Sequence, residues 1–181
     1  GSQGTGKTVM AEEIIKRFTN TRKKILFINS GRLANLVTKS KYIDDYKNIS
    51  FCTFNKFLRD INIYFNNDIS NLPKDFISAN NLLSEKAVQL LNNSTDEKYS
   101  YDLIIIDEIQ HCYFYDSFYL LLDKILKKGL LEGNYYFFGD FNYQNIIGEK
   151  LSKNILKDRM PKENLQSYEQ ITLWHNVRNS E

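Results

Sequence analysis

Residues 101–111 read YDLIIIDEIQH, and the rest of the chain is arranged around this stretch. Four apolar residues, Leu103 to Ile106, come directly before two acids, Asp107 and Glu108. A short, wholly apolar run rich in β-branched residues is typical of a strand buried on both faces of a parallel sheet. The acids then lie at the carboxyl end of the strand, where open α/β sheets bind their ligands. A buried strand that ends in a solvated turn would give the same pattern.

The first eight residues supply a second motif. They read GSQGTGKT and match the P-loop pattern G-x-x-x-x-G-K-[ST] in full. Glycines let the backbone turn its N–H groups toward phosphate oxygens, and a helix that begins near Lys7 adds its positive end. Lys7 should reach the β- and γ-phosphates of a nucleotide, and the Thr8 hydroxyl should bind Mg²⁺. The predicted nucleotide-binding residues here are Gly1, Ser2, Gly4, Thr5, Gly6, Lys7 and Thr8.

A chance match is the alternative interpretation of this motif, as is a Gly-Ser cloning remnant that completes it. The strand that normally precedes a P-loop is missing from the sequence, which opens inside the motif without an initiating Met. We therefore expect the chain to be a fragment of a longer protein. Apolar residues at helical spacing after the motif, among them Ile14, Ile15 and Phe18, favour a true P-loop.

Composition bounds the class of protein. A chain of 181 residues is long enough for one α/β domain, and its 42% apolar and 25% charged residues are ordinary for a soluble globular protein. The net charge of +2 argues neither for nor against nucleic acid. Cys52 and Cys112 lack the spacing of a metal site, and each adjoins a predicted strand. This favours reduced, buried thiols in a cytoplasmic protein over a disulfide, and no apolar run is long enough to span a membrane.

Strands and helices are predicted to alternate along the chain. The predicted strands are residues 24–29, 49–52, 103–106 and 135–138, and the predicted helices follow the P-loop, cover 32–38, begin after the N-cap Thr53, and cover 118–126. This alternation predicts an α/β fold with a mostly parallel sheet and right-handed crossovers. Residues 62–100 are more polar and turn-rich and include one helix, so we expect an insertion or lid within a single domain that covers 1–181.

The motifs fall in an order that closely resembles the first RecA-like domain of superfamily 1 helicases of the UvrD/Rep type. The matching segments are GSQGTGKT at 1–8, DEIQ at 107–110, Gly139-Asp140 through Gln144 with one extra residue before the Gln, and Asn176-Val177-Arg178. Two weaker matches lie between them, INSGRLANLV at 28–37 and CTFNKFL at 52–58. The resemblance implies a RecA-like three-layer αβα sandwich that binds ATP and Mg²⁺, and a helicase-like ATPase.

The resemblance also implies a role for each matching residue. Lys7 and Thr8 would hold the phosphates and the ion, and Asp107 would help to hold the ion through water. Glu108 would be the base that activates the attacking water. Gln144 would sense the γ-phosphate, Arg178 would stabilise its charge, and Gln110 would link the nucleotide site to neighbouring motifs. The partners implied are single-stranded DNA or RNA, touched by Thr53, Phe54 and Asn55, and a second RecA-like domain of the same protein.

Several of these residues have a plainer interpretation. The alternatives are that Gln144 is a solvated loop residue, that Arg178 is a surface cation, and that Phe54 is buried packing. His111, His175, Trp174 and the tyrosines between 113 and 119 are predicted to be structural. The aromatic residue that often follows the Gln in the helicases is replaced here by Asn145. This favours a second hypothesis for the function, an ATP-dependent switch that docks a protein partner without moving along a strand. Without the second domain, we expect weak hydrolysis.

Overall fold

The computed structural model describes residues 7–18, 21–29, 48–109, 112, 115, 117–138, 145–146 and 149–150. Their helices are α1 (Lys7–Phe18), α2 (Phe54–Tyr64), α3 (Phe76–Asn92), α4 (Phe118–Ile125) and α5 (Gly129–Glu132). Their strands are β1 (Ile25–Ile28), β2 (Ile49–Cys52), β3 (Leu103–Ile106), β4 (Asn134–Phe137), β5 (Asn145–Ile146) and β6 (Glu149–Lys150). The helix predicted at residues 32–38 lies outside the described residues.

Four strands form one parallel sheet in the order β2-β1-β3-β4. The central position of β3 confirms that the apolar run at 103–106 is a buried strand. Its four residues are all buried, because helices cover both faces of the sheet. The predicted α/β fold with a parallel sheet is therefore confirmed, while the handedness of the crossovers stays a prediction. Strands β5 and β6 form a separate antiparallel pair.

Alternate residues of the strands face two hydrophobic cores. The larger core contains Leu26, Ile28, Ile104 and Ile106 together with side chains of α2, α3, α4 and α5. The smaller core consists of Ile14, Ile15, Ile25, Phe27, Ile49, Leu103, Ile105 and Phe138, so it lies between the sheet and α1. Side chains that alternate along β1 and β3 thus divide between the two faces, as the pleat of a strand requires.

Helix α2 begins where the sequence predicted. The Thr53 hydroxyl accepts a hydrogen bond from the backbone N–H of Lys56 at 3.2 Å, which satisfies one of the N–H groups that the first turn leaves unpaired. Helix α3 has the same kind of cap, since the Asp75 carboxylate accepts from the backbone N–H of Ser78 at 2.9 Å. The start of each helix is therefore fixed by the side chain of the residue before it.

Helix α3 belongs to the layer that covers the sheet. Its buried residues Leu83, Ala87 and Leu91 lie in the larger core, and α2 runs through residue 64 without a break. The buried Asn62 joins the two helices, because its amide donates to the carbonyls of Leu58 and Leu83, at 2.8 and 3.1 Å. That residues 62–100 are an insertion in a single domain stays a prediction. None of the described helices is both long and apolar enough to cross a membrane.

Candidate functional site

The ladder of the sheet continues for one residue beyond the ends of the strands. The extra bonds run from Asn29 N to Cys52 O at 3.0 Å, from Asp107 N to Ile28 O at 2.8 Å, and from Phe138 N to Ile106 O at 2.9 Å. With the register of β1 and β2, these bonds align four residues across the carboxyl edge of the sheet, in the order Thr53, Asn29, Asp107 and Phe138. We call these four residues the edge row. Neighbouring members lie one strand spacing apart, about 4.8 Å.

The side chains of Asn29 and Asp107 are on the α1 face of the sheet. They continue the alternation of Phe27 and Ile105, which lie in the smaller core, and Phe138 lies in that core itself. Helix α1 packs on the same face. Its last residue leads through a short connection to the amino end of β1, so its first residue, Lys7, is directed toward the carboxyl edge. The amino end of α1 and the acids that follow β3 are therefore directed to the same edge of the sheet.

The two acids differ in environment. Asp107 is 4% exposed in the edge row, and Glu108 beside it is partly buried. Glu108 has a φ of +59°, a left-handed conformation that a residue with a side chain rarely adopts. The backbone N–H of Ile109 then bonds to Phe138 O at 2.8 Å, and the Ile109 side chain enters the larger core. The turn after β3 is thus tied to β4, and it holds the Glu108 backbone in a strained position of the kind found at functional sites.

Asn29 stands at the same edge, inside the weaker match INSGRLANLV at 28–37, and the resemblance assigns it no role. Its side chain is 1% exposed, and neither its Oδ1 nor its Nδ2 has a hydrogen-bond partner among the described residues. Leaving a buried polar group unpaired costs about 1–3 kcal/mol. The signal that would have found it is the one that found Asp107, namely a polar residue directly after a buried apolar strand, here KILFI at 24–28.

The residues predicted to touch nucleic acid lie at the start of α2. The Thr53 hydroxyl caps the helix. The ring of Phe54 is 7% exposed and packs on Tyr115 and Phe118, each with a centroid distance of 5.7 Å. Phe54 is therefore buried packing in this structure, as the alternative interpretation has it. Asn55 is partly buried and bonded to other side chains. That these residues contact nucleic acid stays a prediction.

Asn55 starts a polar chain between three parts of the fold. Its Oδ1 accepts from Arg59 Nε at 3.0 Å, and its Nδ2 donates to Asn80 Oδ1 at 2.5 Å. Asn80 Nδ2 in turn donates to the hydroxyl of Tyr115 at 2.9 Å. Burial raises the pKa of Tyr115, and the bond from Asn80 offsets part of this rise. The chain links α2 and α3 to the segment that follows the acids.

The donor set at the edge fits a magnesium ion held together with phosphates. No group of three or more His, Cys, Asp and Glu side chains that could hold a metal occurs within the described part of the chain. Mg²⁺ usually keeps several waters and takes one or two carboxylates plus the phosphates of a nucleotide. The buried Asp107 carboxylate and the amide oxygen of Asn29 offer oxygens of this kind. These residues are compatible with Mg²⁺ only if a phosphate ligand supplies the rest.

Both cysteines are free thiols, as the sequence predicted. Burial raises the pKa of Cys52 to about 12, with a smaller effect from the nearby Asp60 carboxylate. Cys112 is 2% exposed, and burial raises its pKa well above the usual range. Burial therefore disfavours the thiolate of both residues, which is the form that acts as a nucleophile or a metal ligand.

The structure describes no side chain of the remaining predicted residues. Lys7 and Thr8 begin α1, and the structure describes only their backbone. Gly1, Ser2, Gly4, Thr5, Gly6, Gln110, Gln144 and Arg178 lie outside the described residues, as do His111, Trp174 and His175. Their roles stay predictions.

A family model described as "Type III restriction enzyme, res subunit" matches residues 1–156, which is most of the chain. No curated protein and no solved structure matches the chain. The family is a P-loop NTPase domain of helicase superfamily 2. The match therefore supports the helicase-like RecA fold that the motifs indicated, and it does not support the superfamily 1 assignment to the UvrD/Rep type.

Proposed function

The chain belongs to the type III restriction enzyme res subunit family, and from this premise we propose that it binds and hydrolyses ATP with Mg²⁺ at the carboxyl edge of its sheet. The observation that carries the proposal is that α1 begins toward the edge of the sheet at which the acids after β3 lie. Helix α1, which begins at Lys7, covers the same face of the sheet as Asp107. P-loop helicase-like domains in general use ATP with Mg²⁺ for such a site.

The roles of the residues follow from where they lie. Lys7 and Thr8 would hold the phosphates and the ion, and the buried Asp107 would hold the ion from the sheet side. Glu108, on its strained turn, would orient and deprotonate the water that attacks the γ-phosphate in line. The bound ion would supply neutralisation of phosphate charge. Gln144 would sense the γ-phosphate and Arg178 would stabilise its charge.

We further propose that hydrolysis is coupled to single-stranded nucleic acid in the complete protein, which would supply a second RecA-like domain. A helicase-like domain binds nucleic acid in general. The start of α2 supports a nearby contact, because Thr53 stands in the edge row two strands away from Asp107. A ligand at Thr53 would lie about 10 Å from the acids, two strand spacings.

The test is ATP turnover by the full-length protein, measured with and without single-stranded DNA. Glu108→Gln keeps the size of the side chain and removes the base, so we expect kcat to fall about 10²- to 10⁴-fold. Lys7→Ala should abolish turnover. The matched controls are Lys16→Ala, an exposed lysine on the same helix, and Glu85→Gln, an exposed acid on α3, and both should leave turnover unchanged.

The outcomes separate the candidate functions. Turnover that rises with DNA and disappears in Lys7→Ala supports a motor coupled to nucleic acid. Turnover that needs Lys7 but ignores DNA favours the second candidate, the ATP-dependent switch that docks a protein partner, which the Asn at position 145 and the net charge of +2 favour. Unchanged turnover in Glu108→Gln would show that the base is another residue.

A further inference from the structure

Among the described residues, some buried side chains with no role in the proposed reaction carry polar atoms without a hydrogen-bond partner, and we compare two of them. They are Asn29, at the carboxyl edge of the sheet, and Ser84, on the buried side of α3. An amide has more unpaired capacity than a hydroxyl, because its oxygen accepts and its nitrogen donates two hydrogen bonds. Of the two, only Asn29 stands beside the acids. The N–H of Asp107 donates to the carbonyl of Ile28, the residue directly before Asn29.

We propose that Asn29 is a further ligand-binding residue of the nucleotide site, whose amide takes its missing hydrogen bonds from the hydrated ion and phosphates of a bound nucleotide. This inference rests on the proposed function and extends it by one residue. The side chain continues the smaller core, so it lies on the face of the sheet that α1 covers. The side chain has almost no access to solvent, so bulk water cannot supply its hydrogen bonds.

The chemistry of the amide suits this ligand. A water bound to Mg²⁺ donates hydrogen bonds to an acceptor, and a phosphate oxygen accepts them from a donor. Asn29 offers both a donor and an acceptor on one short side chain. The neighbouring Asp107, when it is ionised, offers only acceptors. The amide therefore fits at the boundary between the hydrated ion and the phosphates without adding charge to the site.

The role predicts opposite effects on stability and on binding. In Asn29→Leu the unpaired amide is replaced by an apolar group of similar size, which is neutral or stabilising for the ligand-free protein. We expect its Tm to stay the same or to rise by about 2–4 °C. The affinity for a fluorescent ATP analogue in the presence of Mg²⁺ should fall about tenfold, the loss typical of one hydrogen bond to a charged group. In EDTA the difference from wild type should be smaller.

The experiment uses the full-length protein and measures ligand-free Tm and analogue affinity for each variant. Asn29→Ala is the second variant, because it removes the amide and cannot overfill the site. Ser84→Ala is the matched control, since it removes another buried unpaired group, on α3, and should leave the affinity unchanged.

Four results would overturn the inference. A lower Tm with unchanged affinity in both Asn29 variants would show that the amide is structural. Equal loss of affinity in Ser84→Ala would show that the effect is not local to the edge. A wild-type protein that binds the analogue, together with an Asn29→Leu variant that binds it equally well, would reject the role of Asn29 and leave the proposed function standing. If wild type binds no nucleotide, the proposed function fails, and this inference fails with it.

Discussion

Replacing Asn80 with alanine should destabilise the protein strongly. Asn80 is 1% exposed, and it bonds to Asn55 at 2.5 Å and to Tyr115 at 2.9 Å. Each hydrogen bond contributes about 1 kcal/mol, and the truncation also leaves a small cavity and unpaired groups in the interior. We therefore expect a loss of about 2–4 kcal/mol in the free energy of unfolding, a large share of the roughly 5–15 kcal/mol of a typical domain.

Urea unfolding followed by circular dichroism measures this loss. With a slope of about 2 kcal/mol per molar urea, the midpoint should fall by about 1–2 M while the slope stays the same. Gln89→Ala is the control, because Gln89 is exposed on the same helix and its truncation should cost no more than about 0.5 kcal/mol. An Asn80→Ala midpoint equal to that of the control would refute the reasoning.

The double variant tests whether the chain acts as a unit. Tyr115→Phe removes the hydroxyl that accepts from Asn80, and we expect it to cost about 1 kcal/mol. Because the two side chains share one bond, the double variant should lose less than the sum of the single losses, by about 0.5–1 kcal/mol, the contribution of that bond. Strict additivity would show that Tyr115 and Asn80 contribute independently.

Two further predictions concern titratable groups. Burial alone would raise the pKa of Asp102, but the bond from the Lys24 N–H at 2.8 Å and the ion pair with Lys127 at 3.3 Å lower it overall. The stabilisation is therefore present above the unfolded pKa of about 4 and is lost as the pH falls through the lower folded pKa. Asp102→Asn should cost about 1 kcal/mol at pH 7 in urea unfolding, with a smaller difference from wild type near pH 3, and a pH-independent difference would contradict this. Cys52 and Cys112 should react slowly with a disulfide reagent near neutral pH and rapidly once the protein is unfolded; fast native labelling would show that they are accessible thiolates.

Features set by local sequence were predictable. The run at 103–106 is apolar at every position, which fits only an element buried on all sides, and the acids that follow it mark the carboxyl end. Thr53 was recognisable as an N-cap because a hydroxyl before a helical pattern has a local partner, the N–H three residues later. The bounds of β2, residues 49–52, also agree with the prediction, because a short apolar strand is a local feature of the sequence.

Features set by tertiary contacts were not predictable. Asn80 is an asparagine in a chain whose asparagines also fill exposed loops, and nothing in its own segment shows that it is buried. The position of Asn29 after an apolar strand is a local signal, but its lack of hydrogen-bond partners among the described residues is not visible in its segment. Asn80 is buried because α3 packs on α2, and its partners are 25 and 35 residues away in the sequence. The strand order that places Asn29 beside Asp107 likewise depends on pairing between distant segments. The sequence did not decide whether Phe54 is buried or exposed, because its packing partners also lie in distant segments.

Asn29 and Asn80 lie on opposite faces of the sheet, and this separates stability from ligand binding. Asn80 bonds to Tyr115, which lies in the larger core, whereas Asn29 follows the smaller core, beside α1. A change at Asn80 should therefore lower the free energy of unfolding and leave nucleotide affinity unchanged at temperatures where the variant stays folded. Asn29→Leu should lower nucleotide affinity and leave the free energy of unfolding unchanged or slightly higher. If Asn80→Ala weakened nucleotide binding as much as Asn29→Leu, the polar chain from α2 would have to reach the acids through the segment around Tyr115, and the two faces would not be independent.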